Sequence, residues 1–269
     1  MKIGKATVPR TSICTSDAHT IVVRGHDLSK DLIGKVSFVD HFFLLLTGQR
    51  PTEGQAAVLN ATLVAIAEHG LVPSVQAARM TFAAAPDAMQ GAVAAGILGC
   101  GSVVLGSSET AGRMYSEIDA KVQAGVALGK AALSVMQAWR AAGRSIPGYG
   151  HPLHKERDER VGALFGVAEA AGTDLRFVAI AEAAEALMPE VLGKALKLNV
   201  SGAIPAVLLG AGFPVEGLKG VPMLARTAGL IAHMVEEIRQ PIGFALSYQA
   251  TREMEYDGEL PEGFGGGSA

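Results

Sequence analysis

The sequence predicts an all-α protein of closely packed helices, and three observations carry that reading. Aromatic residues make up only 5% of the chain. Runs that alternate β-branched and polar residues are scarce, while windows rich in Ala, Leu, Glu and Lys recur between glycines and prolines. A hydrophobic share of 49% over 269 residues suffices for a sizeable core, as one compact unit or two apposed sub-domains.

Along the chain, TIVVRG (Thr20 to Gly25) is the one strand-like piece. Ser37 then precedes FVDHFFLLLT, whose apolar residues fill a buried helix and whose following Gly48 is a natural C-terminal stop. Thr52 opens the next helix, expected to run to Gly70. Further helices are predicted over Val75–Ala85, Ala88–Leu98, Gly112–Ala142, Asp158–Ala171, Leu175–Met188, Ile204–Leu209 and Pro222–Glu237. After Glu253 the chain turns polar and glycine-rich, and EGFGGGSA is expected to be a loose tail. The uncharged run from Ala88 to Ser108 is long enough to raise a membrane span, but its small residues, Gln90 and the serines favour a helix buried in a protein core.

Charge narrows the partners. A net charge of −3 with 18% charged residues offers no basic field for nucleic acid and no polybasic stretch for an anionic membrane, which leaves small molecules. Cys14 and Cys100 cannot form a disulfide framework and MKIGKATVPRTS has no apolar signal core, so a cytoplasmic location is expected.

Chemistry concentrates in PGYGHPLHKERDER, Pro147 to Arg160. A Pro/Gly-rich loop presents His151, an acid/base group near pH 7, and Arg160 is expected about two turns into the next helix, able to hold a carboxylate near it. The residues alone fit a second reading equally: His151 and His154 as solvated loop residues, KERDER as an exposed, salt-bridged helix face. A metal held by His151, His154 and Asp158 is disfavoured, because Pro152 disturbs the spacing and no third strong ligand is evident.

This segment resembles the signature of the citrate synthase superfamily: a glycine–aromatic–glycine–histidine loop, a basic residue, an aspartate and an arginine. The resemblance extends over TSICTSDAHTIVVRGHDLSKDL (similar to the family's opening hairpin), VSFVDHFFLLLTGQRPT, EHG, GCGSVVLGSSE, LNVSGAIPAVLLG and LARTAGLIAHMVEEIRQP. At this length it is similar to citryl-CoA lyases and the matching domain of ATP-citrate lyase. It implies a helical fold with a larger domain from residues 1–105 and 215–269 and a smaller one, 106–214, between them. It also implies a homodimer, with coenzyme A as the acyl carrier, a polycarboxylate as the other ligand and no metal. His151 inherits the catalytic acid/base role, and His69, Arg160, Arg226 and Arg239 the carboxylate contacts, Arg239 across the dimer interface. Gly148, Tyr149, Gly150 and Leu153 inherit the coenzyme A contacts, made by backbone groups.

Two positions depart from the pattern. The family's NVDG aspartate, which takes the methyl proton of acetyl-CoA in condensation, is Ser201, and the histidine that bonds the thioester oxygen is Val104. A serine hydroxyl is too weak a base for that step at neutral pH. Cleavage begins instead at a tertiary hydroxyl, which His151 can deprotonate. The expected activity is therefore a citryl-CoA lyase-like carbon–carbon lyase. The alternatives are a non-catalytic homologue that keeps the ligand contacts, or an altered-substrate enzyme recruiting Ser107, Ser108 or Glu109.

Overall fold

The computed structural model describes residues 9–101, 105–150 and 157–264. In chain order come β1 (Cys14–Ser16), β2 (Ile21–Val23), β3 (His26–Asp27), a π-helical turn (Leu28–Leu32), α1 (Phe38–Thr47), α2 (Glu53–Ala67), α3 (Pro73–Ala84) and α4 (Met89–Leu98). There follow α5 (Gly106–Gln123), α6 (Leu128–Ala141), α7 (Glu159–Ala170), α8 (Arg176–Ala186), α9 (Met188–Leu192), α10 (Val200–Gly210), a 3₁₀ turn (Val215–Gly217), α11 (Gly220–Arg239) and α12 (Gly243–Glu253). The helical class is as the sequence predicts. The opening segment is a three-stranded antiparallel sheet in the order β1-β2-β3, with Cys14 opposite Val23 and Val22 opposite Asp27.

Local chemistry accounts for the helix starts. Ser37 and Thr52 each form a capping box, with Asp40 and Gln55 reaching back to the cap N–H. Gly48 closes α1 in the left-handed region at φ 76°.

Several boundaries differ from expectation. Helix α2 ends at Ala67 because Glu68 turns extended, short of Gly70. The stretch expected as one helix over Gly112–Ala142 is two, α5 and α6, broken where Gly125 takes φ 89°. The helix expected over Leu175–Met188 is α8, ending at Ala186, and a separate short α9 with Pro189 near its start follows it. Helix α10 begins four residues before the expected Ile204, at Val200, and α12 was not expected at all. Only Gly243 of α12 is buried, so its sequence carries no core-facing apolar signal. The uncharged run Ala88–Ser108 is not one helix, since α4 ends at Leu98 and α5 starts at Gly106. Among the described residues no helix is long and apolar enough to cross a membrane. Residues 265–269 of the expected tail lie outside the described residues.

The chain forms two compact units, Met1–Glu68 with Cys100–Arg226, and His69–Gly99 with Thr227–Ala269. In the first, α10 is the central helix, buried at Val200 and from Gly202 through Leu209 and packed by α5, α7 and α8. A helix apolar on all sides requires such surroundings. Phe213 lies against the rings of Phe42 and Phe43, at centroid distances of 6.5 and 6.1 Å. The second unit packs Val75, Ala78 and Phe82 of α3 and Ala92 of α4 with Leu230 and Met234 of α11.

A buried ionic group lies in that second unit. Arg79, 1% exposed, donates to Glu237 at 2.8 Å and to the ring nitrogen of His233 at 3.0 Å, and it also pairs with Glu236. Glu237 in turn accepts the N–H groups of Ile242 and Gly243 at 2.9 and 2.6 Å, fixing the turn from α11 into α12.

Candidate functional site

Of the positions singled out in the sequence, Gly148, Tyr149 and Gly150 meet the start of α10, which carries Ser201, within the first unit. Gly148 holds φ 87°, and a Cβ there would stand 2.6 Å from the Cα of Gly202. A Cβ on Gly202 would in turn stand 2.7 Å from the Gly148 carbonyl oxygen. Two glycines therefore let loop and helix touch backbone to backbone. The contact continues as a short antiparallel pairing. Tyr149 lies opposite Leu198, Gly150 N–H donates to the Lys197 carbonyl at 2.7 Å, and Asn199 N–H donates to the Gly148 carbonyl at 3.0 Å.

Asn199 joins both elements. Its Nδ2 donates to the Gly150 carbonyl at 2.7 Å and its Oδ1 accepts the Ser201 N–H at 2.9 Å, capping α10. These bonds engage the Gly148 carbonyl and both backbone groups of Gly150. In an antiparallel pair with this spacing the N–H and C=O of Tyr149 turn to the opposite side. Of the positions assigned coenzyme A contacts by resemblance, Tyr149 thus keeps its backbone uncommitted to this pairing. Leu153 lies outside the described residues.

The Tyr149 side chain is an anchor. Its hydroxyl donates to the Ala181 carbonyl at 2.9 Å, so the 3.0 Å contact with Tyr115 has the Tyr115 hydroxyl as donor. Burial pushes both phenols above their ordinary range, which keeps them protonated at neutral pH. Glu185 of α8 accepts the Leu198 N–H at 2.8 Å and pairs with Arg157 at 3.4 Å.

Arg160 occupies the second position of α7, not a place two turns in, because the helix begins at Glu159 with Asp158 as its cap. Its Nε and Nη2 donate to the Asp158 carboxylate at 3.0 and 2.8 Å, and Nη1 lies 3.4 Å from the Ala65 carbonyl. Burial pushes the Asp158 carboxyl up. Hydrogen bonds from the Arg160 side chain and backbone, the Arg160 charge and the Val200 N–H outweigh it and hold the group below the usual carboxylate range.

Arg226, in α11, is buried at 3% exposure, and its Nε and Nη1 have no hydrogen-bond partner among the described residues. Arg239 is the last residue of α11 and is exposed, and His69 follows the Glu68 cap of α2. Arg160 and Arg226 belong to the first unit, His69 and Arg239 to the second. Ser201 sits in the first turn of α10. His151 and Val104 lie outside the described residues. Glu109 forms an i,i+4 pair with Arg113 at 2.7 Å in α5, as an ordinary helix glutamate does.

The sequence singles out neither Asn199 nor the Tyr115–Tyr149 pair, and it presents Asp158 as a helix start, a disfavoured metal ligand and the aspartate of the signature, with no side-chain partner assigned to it. An Asx residue immediately before an apolar helix was a readable signal for Asn199. Among the described residues no group of three or more His, Cys, Asp or Glu stands ready for a metal. A groove of about 700 Å³ lined by Lys35, Ser37, Arg50 and Thr52 includes none of the predicted site residues.

Comparison with known proteins fits this geometry. A citryl-CoA lyase from Hydrogenobacter thermophilus superposes with a TM-score of 0.81 at 31% identity, covering 95% of this chain and 97% of that one. ATP citrate lyase from Methanosaeta concilii, solved with (3S)-citryl-CoA, shares the fold with a TM-score of 0.77 at 23% identity, over 97% of this chain and 44% of that one. The citrate synthase of Haloferax volcanii is 26% identical over 200 residues, which is 73% of this chain, and this chain spans about 50% of its length. The sequence profile described as "Citrate synthase, C-terminal domain" matches residues 5–243. The chain belongs to the citrate synthase family.

Proposed function

We propose that this chain is a citryl-CoA lyase-like carbon–carbon lyase. It cleaves a hydroxy-polycarboxyl coenzyme A thioester to acetyl-CoA, or another acyl-CoA, and an oxo acid such as oxaloacetate. The observation that carries the reading is Arg226, a buried guanidinium with Nε and Nη1 unpartnered among the described residues. Such a group is costly unless an anion meets it, and a substrate carboxylate is that anion. Similarity to a citryl-CoA lyase over nearly the full length of both chains supports the same reading.

In this mechanism Arg160, Arg226 and His69 hold the carboxylates, with Arg239 donated by a second copy of the chain. His151 takes the proton of the tertiary hydroxyl. The bond between the carbinol carbon and the thioester-bearing methylene then breaks, the hydroxyl carbon becomes the oxo acid carbonyl, and the electron pair remains as the thioester enolate. A proton from water or an acid completes acetyl-CoA. The backbone of Tyr149, with Leu153, contacts the coenzyme. Ser201 in place of aspartate disfavours the reverse condensation, which needs a base at the acetyl methyl.

The homodimer belongs to this proposal. Ile231, Val235 and Ile238 form an exposed stripe on α11, 45%, 40% and 63% exposed, ending beside Arg239. A dimeric solution mass is expected, and a strictly monomeric active protein contradicts it. A cytoplasmic site of action and the division into 106–214 and flanking 1–105 and 215–269 are proposed with it. The activity test is incubation with citryl-CoA and assay of acetyl-CoA and oxaloacetate, with His151→Ala abolishing release. Ligand-induced stabilisation without turnover points to a binding homologue instead, and condensation of acetyl-CoA with oxaloacetate at a synthase-like rate overturns the lyase reading.

A further inference from the structure

Arg160 is already held by this chain. The Asp158 carboxylate grips its Nε/Nη2 edge at 3.0 and 2.8 Å, and the Asp158 side chain is 8% exposed where that of Arg160 is 25% exposed. The grip is side-on and bidentate, which fixes both the plane and the rotation of the guanidinium. With Nη1 toward the Ala65 carbonyl at 3.4 Å, one N–H on each terminal nitrogen is left uncommitted among the described residues, and the end-on edge is the one through which a guanidinium binds a second carboxylate. Asp158 also accepts the Arg160 backbone N–H at 3.1 Å, and the Val200 N–H at the start of α10 helps to hold its carboxyl below the usual carboxylate range. One largely buried carboxylate therefore ties the start of α7 to the Arg160 side chain.

We propose that Asp158 is a positioning residue: it clamps Arg160 side-on so that the end-on edge of the guanidinium is preset for a substrate carboxylate. The inference rests on the carboxylate-binding role proposed for Arg160. Without the clamp Arg160 regains its rotamer freedom, and ordering it again is charged against ligand binding.

The test is a double-mutant cycle read by calorimetry on the full chain, with citrate and coenzyme A as separate probes. Asp158→Asn and Arg160→Lys are each expected to weaken citrate about 10-fold, and the double variant to be no weaker than Arg160→Lys alone, because the clamp acts only through the arginine. Coenzyme A affinity stays within about 2-fold in all three. Asp158→Ser, which keeps a helix cap but not a fork-shaped acceptor, is expected to repeat the citrate loss and serves where Asp158→Asn unfolds. Losses that multiply in the double variant, or wild-type citrate affinity in Asp158→Ser, overturn the proposal while leaving the role of Arg160 intact. A wild-type protein that binds no citrate overturns the role of Arg160, and the clamp with it.

Discussion

Two buried arginines stand in opposite circumstances. Arg79 is 1% exposed and bonded to His233, Glu236 and Glu237, whereas Arg226 is 3% exposed with Nε and Nη1 unpartnered among the described residues. Both guanidiniums have left water, and each has incurred that desolvation. Arg79 recovers it from its own chain, through a carboxylate that also holds the turn into α12. Among the described residues nothing meets Nε and Nη1 of Arg226, and the proposed substrate carboxylate is a fitting source of what would offset them. A satisfied buried charge thus reports on stability and an unsatisfied one on ligand, and variants separate the two.

The largest expected effect is at the satisfied group. Glu237→Ala leaves Arg79 buried without its main partner and orphans the N–H groups of Ile242 and Gly243, so chemical denaturation is expected to show a loss of about 3–5 kcal/mol. A loss under about 1 kcal/mol would mean that Arg79 escapes to solvent, and the contrast with Arg226 would fail.

The loop that leads to His151 belongs on the satisfied side. Gly202→Ala drives a Cβ to 2.7 Å from the Gly148 carbonyl oxygen, and a cost of about 1–3 kcal/mol is expected together with weaker coenzyme A binding. Affinity for the coenzyme that survives this change would separate loop placement from the ligand contact.

Tyr115→Phe removes one hydroxyl from the buried pair but leaves the bond from Tyr149 to Ala181, so its cost in thermal unfolding should be only about 1 kcal/mol. Smaller still in ordinary buffers is the pH effect of Asp158. Its folded-state pKa is depressed, so its contribution is fully present above the unfolded carboxylate value of about 4 and is lost as pH falls through the folded value. Asp158→Asn should abolish that acid limb and leave the profile from about pH 6 to 8 parallel to wild type.

The sequence carried more of the fold than of the site. Ser37 and Thr52 announce α1 and α2 because a cap is a local device readable from a few neighbours. The break at Gly125 was obscured by good helix formers on both sides, and α12 by an almost wholly exposed face. Within the site, Arg160 was legible as a cation near His151, whereas Arg226 was legible only through family motifs. The sequence cannot say that one is clamped by Asp158 and that the other has Nε and Nη1 unpartnered among the described residues, because burial and pairing are properties of the packed chain.

The most direct test is thermal unfolding of Arg226→Met, with and without citrate. Removing an unpaired buried charge in favour of an apolar side chain of similar length should leave the ligand-free protein at least as stable as wild type. Citrate at about 100 times its dissociation constant should stabilise wild type by about 2.7 kcal/mol and the variant not at all. A variant that loses stability as Glu237→Ala does, and still responds to citrate, would contradict the account.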